Sequence, residues 1–296
     1  MKRREQGAAI IMAMLVMTLA VLLVSGAFLR QSVMAREVEN AAAAAQSRAL
    51  LAGAIDWIRV ILVEDGDNSS ADHAGEPWAV PLERTRLDGG DGESAWLSGR
   101  VEDAQARFNL RNLSNAGGLI ASEVAVLGRL LGYAGVDDVS GEQLAARIDA
   151  ALTATRSDGT VLVPGRVEDL RLPEESARAA LEKLRPFVVI LPQRTPININ
   201  TASAEVLAAR LPALSLADAR RLVASRDVAW FRDASDFASR LPGVQPGNGG
   251  GQLATATRFF LLRGKVEFRR ARTEAQVLLR REGRRVDTLW VREAAT

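Results

Sequence analysis

Nine residues from Glu64 to Asp72 read EDGDNSSAD, a cluster of side-chain oxygens of the kind that hold a hard cation. Calcium takes six to eight oxygen ligands in a defined geometry, so Glu64, Asp65, Asp67 and Asp72 are the metal candidates. The stretch lacks the full D-x-[DN]-x-[DN]-G spacing with a distal glutamate. His73 is the single histidine and follows in a polar loop, which suits a solvent-facing or structural side chain better than a catalytic one. Cysteine is absent, which excludes disulfides, thiolate metal sites and cysteine nucleophiles. The sequence has no G-x-S-x-G, no H-E-x-x-H and no phosphate-binding P-loop. GNGGGQ (Gly247 to Gln252) reads as a flexible loop, because no strand runs into it and no lysine follows. Glu174 and Glu175 stand at a helix start, where the dipole favours them without catalysis.

A second chemistry concerns the chain itself. MKRREQG precedes an uncharged run of 22 residues, Ala8 to Leu29. A small residue at a peptidase site lets an extended backbone enter a narrow cleft, so Gly7 suits cleavage at the membrane face. The run is long enough to cross a hydrocarbon core of about 30 Å. Lys2, Arg3 and Arg4 keep its start cytoplasmic and send the remainder of the chain across the membrane. A cleaved export signal has a shorter apolar core and a terminal small-residue site, whereas this run continues directly into a helical pattern.

These residues need elements to place them. With 38 basic and 36 acidic residues the net charge is +2, so no bulk attraction to nucleic acid is implied. No proline appears before Pro77, and Val33, Val38, Ala41, Ala45, Ala49, Ala52, Ile55 and Ile58 recur as an approximate helical stripe. One helix is predicted from about Ala8 to Val63, broken at Gly66 to Ser70. LERTRL and AWLSGRVEDAQARFNL read as strands around a GGDGE turn. RFFLLRGKVEFRRA, EAQVLLRRE and RVDTLWVRE read as a closing meander with EGRR as a tight turn. The block between, about Leu119 to Leu241, is helical, with caps at Ser140 ahead of Gln143, at Thr201 or Ser203 ahead of Glu205, and at Ser215 ahead of Asp218. Two or three strands alone make a poor core, so a helical domain inserted in a sheet is expected rather than two domains side by side.

At this point the chain resembles type IV pilin-like proteins, and among them the K-type minor pseudopilins of type II secretion systems. The leader and Gly7 match a prepilin peptidase site. DHAGEPWAVPL (Asp72 to Leu82), GRVEDAQARFNLRNL (Gly99 to Leu113) and TPININTASAEVL (Thr195 to Leu207) resemble internal blocks of that family. The resemblance implies an α+β fold: a long N-terminal helix, transmembrane then amphipathic, and a small antiparallel sheet. A large helical domain, SAM-like or helix-hairpin-helix-like, is inserted between the strands. The expected divisions are leader 1–7, membrane half 8–29, periplasmic half 30–64, sheet 77–113, insert 114–245 with a second subdomain from about 195, and sheet 255–296.

The family implies cleavage between Gly7 and Ala8 with N-methylation of Ala8. It implies a non-enzymatic subunit in the bacterial inner membrane, N-terminus cytoplasmic and bulk periplasmic, that helps export folded proteins across the outer membrane. It caps a periplasmic filament with the I and J minor pseudopilins. Its further partners are other pseudopilins, the inner-membrane platform and the prepilin peptidase, with the secretin or secreted substrates within reach. Most pilin-like proteins have a glutamate at the fifth mature position. Met12 stands there instead and cannot neutralise a neighbour's amine, as suits a subunit with none ahead of it. No cofactor is expected, calcium being the one alternative. The family's acidic run in the insert is replaced here by the scattered Asp149, Asp158, Glu168 and Asp169. A membrane-anchored DNA-binding module of a competence system is the alternative function, since Arg210, Arg220, Arg221 and Arg226 flank a helix-hairpin-helix-like LPALSL. That hairpin has no glycine for close backbone approach to phosphate. A signal-anchored periplasmic enzyme would be a third option, and no motif recommends it.

Overall fold

The computed structural model describes residues 2–88, 94–154, 164–241 and 252–295, with side chains from Ile11 onward. The GGDGE turn, most of GNGGGQ and Asp158 lie outside the described residues. Helix α1 (Lys2–Asn68) is one unbroken rod of 67 residues, about 100 Å long. It passes through Gly66 and stops only at Asn68, five residues beyond the predicted end.

The buried stripe of α1 is narrower than the one the sequence suggests. Ala43, Ser47, Leu51, Ile55, Ile58 and Leu62 face inward, and Ser47 donates to Thr273 Oγ1 at 2.8 Å. Val33, Val38, Ala41, Ala45, Ala49 and Ala52 are exposed. Alanine recurs on every face of this segment, so its spacing does not single out the face that meets the sheet.

That stripe packs on a five-stranded antiparallel sheet of β1 (Leu82–Asp88), β2 (Ser94–Asp103), β3 (Phe259–Phe268), β4 (Ala271–Glu282) and β5 (Arg285–Ala295), in that spatial order. Phe260, Leu262, Val266, Val277 and Leu279 point at α1, and Trp78 closes the end edge-on to Phe260, with ring centroids 5.2 Å apart. The EGRR turn joins β4 to β5 through Gly283, whose φ of 55° is the left-handed conformation that glycine adopts without strain.

Between the paired strands β2 and β3 lies a helical domain with its own core. It comprises α2 (Ala121–Tyr133), α3 (Gly141–Thr153), α4 (Glu175–Leu184), α5 (Ala204–Arg210), α6 (Leu216–Val228) and α7 (Ala234–Arg240). Ser140 and Gln143 close a reciprocal capping box, while Ser203 and Ser215 accept from Val206 N and Asp218 N. The chain leaves the sheet at Asp103, and Phe108, Leu110 and Leu113 already belong to the helical core. The stretch around ARFNL is therefore part of the insert, which starts about ten residues before the boundary expected from strand-like alternation. Alternating apolar side chains serve a two-residue bridge and a 3-10 turn as well as a strand.

Candidate assembly helix and the networks that hold it

From Ile11 to Leu29 every residue of α1 is exposed, and the most apolar window has mean hydropathy 2.5 with none of it buried. This segment has length and composition enough to cross a membrane. Thr18 in this stretch returns its hydroxyl to Met14 O at 2.8 Å, which satisfies that polar group within the helix itself. Met12 lies on this surface with 67% of its area open. Lys2, Arg3, Arg4, Gly7 and Ala8 lie in the first turns of the same helix, ahead of the described side chains.

At the opposite end of α1 the sequence-predicted metal cluster resolves differently. Asp65 and Asp72 do come together, and buried Glu76 joins them, with carboxylate oxygens of all three within 4.8 Å of one another. The cation among them is Arg281 of β4, which donates Nη1 to Asp65 Oδ2 at 2.8 Å and Nη2 to Asp72 Oδ1 at 2.5 Å. Glu64 is exposed, and Asp67 pairs at the surface with Arg284 at 3.3 Å. The four residues Glu64, Asp65, Asp67 and Asp72 therefore do not form one ligand set. A guanidinium, with its fork of fixed donors, already serves the two buried members. Burial pushes the Asp65 carboxyl up to about 6 despite the bond from Arg281.

Asp72 is also the point where three parts of the chain meet. Its Oδ2 accepts from Thr257 N at 2.7 Å, its backbone N–H donates to Thr255 O, and its carbonyl accepts from Asn198 Nδ2 at 3.0 Å. His73 stacks on Trp230 with centroids 4.7 Å apart, and its Nδ1 accepts from Gly75 N. It is a structural residue.

Asn198 ties the two family-like blocks to each other. Asp103 of the first block accepts from Asn198 Nδ2 at 2.8 Å and Thr201 Oγ1 at 2.6 Å, both in the second. Asn109 and Asn112 bind Thr195 and its neighbours from the other side. Asn200 exchanges two bonds of 2.8 Å with the backbone of Phe231. The carboxyl of Asp103 is buried with no cation beside it among the described residues, and this burial raises it to about 6 against the bonds it accepts. A raised carboxylate makes the folded state bind more protons, so its stabilising contribution is complete at low pH and is lost as pH rises through about 6. The denaturant midpoint is thus expected to fall between pH 5 and 7, and the fall should be shallower in Asp103→Asn. An equal slope in the two proteins would refute this account.

The helix-hairpin-helix-like segment is turned inward. Arg210 is buried against Glu123 through bonds of 2.9 and 2.7 Å, and Arg226 is buried with Nη1 donating to Ile199 O at 2.5 Å. Of the exposed pair, Arg221 is held by Asp218, and Arg220 lies 3.7 Å from Glu205. Two of the four arginines that suggested phosphate contact are core residues, and the DNA-binding alternative finds no support.

Residues 197–256 match the family model for type II secretion system protein K. Type II secretion system protein K of Pseudomonas aeruginosa is 29% identical over 291 residues, which cover 90% of this chain and 86% of that protein. The protein of the same description from Klebsiella pneumoniae is 26% identical over 96% of this chain and 95% of its own. A chain of the crystal structure of the GspK–GspI–GspJ complex from enterotoxigenic Escherichia coli superposes with a TM-score of 0.66. It is 21% identical, with 84% of this chain and 96% of that one covered. An apolar assembly helix, a small antiparallel sheet and a helical insert, in a chain similar throughout to these proteins, define a minor pseudopilin of the type II secretion system. Within that class the chain is similar to protein K over nearly its whole length.

Proposed function

We propose that this subunit caps the tip of a periplasmic pseudopilus together with the I and J minor pseudopilins, and helps start its assembly. The observation that carries the proposal is the division of α1. Its last third is built into the head, while from Ile11 to Val38 it presents a continuous exposed surface. Exposed Ala41, Ala45, Ala49 and Ala52 extend that surface along a face where neighbouring helices could approach closely. The solved relative assembles with GspI and GspJ, which supports the same partners here. The helical domain, attached at one end of the sheet, supplies a bulky head suited to a terminal position. Apolar Met12 suits a subunit with no neighbour ahead of it. The chain works by assembly rather than catalysis, anchored in the inner membrane with a cytoplasmic N-terminus and a periplasmic head.

Processing removes residues 1–7 and leaves an N-methylated Ala8. Mass spectrometry of the mature N-terminus is expected to find that species, and an intact Met1 would remove the chain from the processed class. Co-purification with an I–J pair tests the partners. Loss of complex on Ala45→Arg, with head stability unchanged, is the expected result.

A further inference from the structure

The sheet face turned away from α1 carries a row of like charges. Arg100 on β2 is the register partner of Arg263 on β3, Arg263 of Gln276 on β4, and Gln276 of Arg292 on β5. Register partners share a face, so three arginines and a glutamine stand abreast across four strands, and like charges so placed repel. The adjacent row, Leu261, Leu278 and Trp290, is roofed by Val189 and Leu191 of the helical domain. Where this roof ends, a cleft of about 330 Å³ opens, to which the helical domain adds Arg166 and Arg185. The cleft continues as a more open groove across the arginine row to β5.

The charges in this cleft are incompletely answered. Arg100 and Arg107 share Glu102, Arg185 binds Glu168 and Glu182, and Arg292 lies 3.8 Å from Asp169. Arg166 donates Nη1 to Gln276 Oε1 at 3.3 Å and reaches the carboxylates of Glu168 and Asp169 only at 3.4 and 3.6 Å, and its Nε has no acceptor among the described residues. The indole N–H of Trp290, in the same wall, is also buried without an acceptor. At the centre of the row, the Arg263 guanidinium makes no ion pair or hydrogen bond among the described residues. Arginine and tryptophan side chains only donate, so these open positions can be filled only by an acceptor. Glu83 and Glu274 stand on the groove wall, the latter engaged by Arg272.

We propose that this cleft and groove bind an acidic polypeptide segment of a partner protein, with its carboxylates against Arg263, Arg166 and the Trp290 indole. Four strands at about 4.8 Å spacing give a row of roughly 14 Å, the span of about four extended residues rather than of one small anion. The row lies on the face opposite α1, so such a partner can be held while α1 is packed among other helices.

The test uses the full chain in detergent micelles, titrated with a ten-residue oligo-aspartate peptide. Saturable binding that weakens with salt is expected. Arg263→Gln should weaken it about tenfold, the loss of one charge-assisted bond. Arg270→Gln, at the exposed β3–β4 turn, should leave it unchanged, and millimolar inorganic phosphate should not displace the peptide. Arg263 is itself exposed, so its substitution leaves the core intact, which a thermal melt checks. Absence of saturable binding would overturn the proposal, as would wild-type affinity in folded Arg263→Gln. Equal weakening by Arg270→Gln would reduce the effect to bulk charge, and displacement by phosphate would make this a free-anion site; either result also overturns it.

Discussion

Arg281→Leu is expected to destabilise the head by about 3–5 kcal/mol, the usual consequence of leaving buried charges without their partner. The guanidinium bonds Asp65 and Asp72, donates to Leu62 O at 3.2 Å and Thr257 O at 3.3 Å, and lies 4.9 Å from the Phe260 ring centre. Its loss strands two carboxylates and removes the contact between the end of α1 and β4. The pH dependence of the variant has a definite sign. Without the guanidinium Asp65, already raised by burial, is still harder to ionise, so the folded variant holds a proton that the unfolded chain releases, and it regains stability as pH falls from 7 to 5. Chemical unfolding at the two pH values measures this. Adding Asp72→Asn should recover part of the loss, and a purely additive double variant would show that Arg281 acts through packing alone.

Arg210→Ala is the second large effect, again about 3–5 kcal/mol, because Glu123 would remain buried as an unpaired charge. Each side chain of this pair is only 2% exposed, and the Arg210 guanidinium also lies 5.7 Å from the centre of the Phe108 ring. Replacing both, as Glu123→Leu with Arg210→Met, is expected to be neutral or stabilising, since packed apolar groups avoid the desolvation of two ions. A double variant as unstable as the single one would show that the pair sets the docking of α5 on α2 rather than balancing charge.

Much of the architecture was legible because it is written locally. The absence of proline before Pro77 and the 22-residue apolar run define the rod, and Ser140, Ser203 and Ser215 mark helix starts by the bonds they accept. The networks were not legible, because their partners are far apart in the chain. Arg281 is 209 residues from Asp72, and Asn198 is 95 from Asp103, so nothing in the neighbourhood of EDGDNSSAD announces that its counter-charge is an arginine. Glu76 was missed for a related reason: it lies past the acidic cluster, and only the 3-10 turn at Pro77 brings it back. The inward face of α1 failed through degeneracy, since a helix rich in alanine has several equally plausible stripes and only the sheet chooses among them.

The attachment of the helical domain has a mechanical consequence. The domain leaves the sheet at Asp103 and returns at Phe259, and Asp103 is the register partner of Phe260. Both connections therefore emerge side by side at one end of two bonded strands. A pull on the domain draws β2 and β3 in the same direction and does not part them. They can move only by sliding lengthwise against β1, β4 and the rod beneath, which loads the rungs of those ladders together instead of one after another. The head is thus built to resist tension along its strands far better than peeling across them.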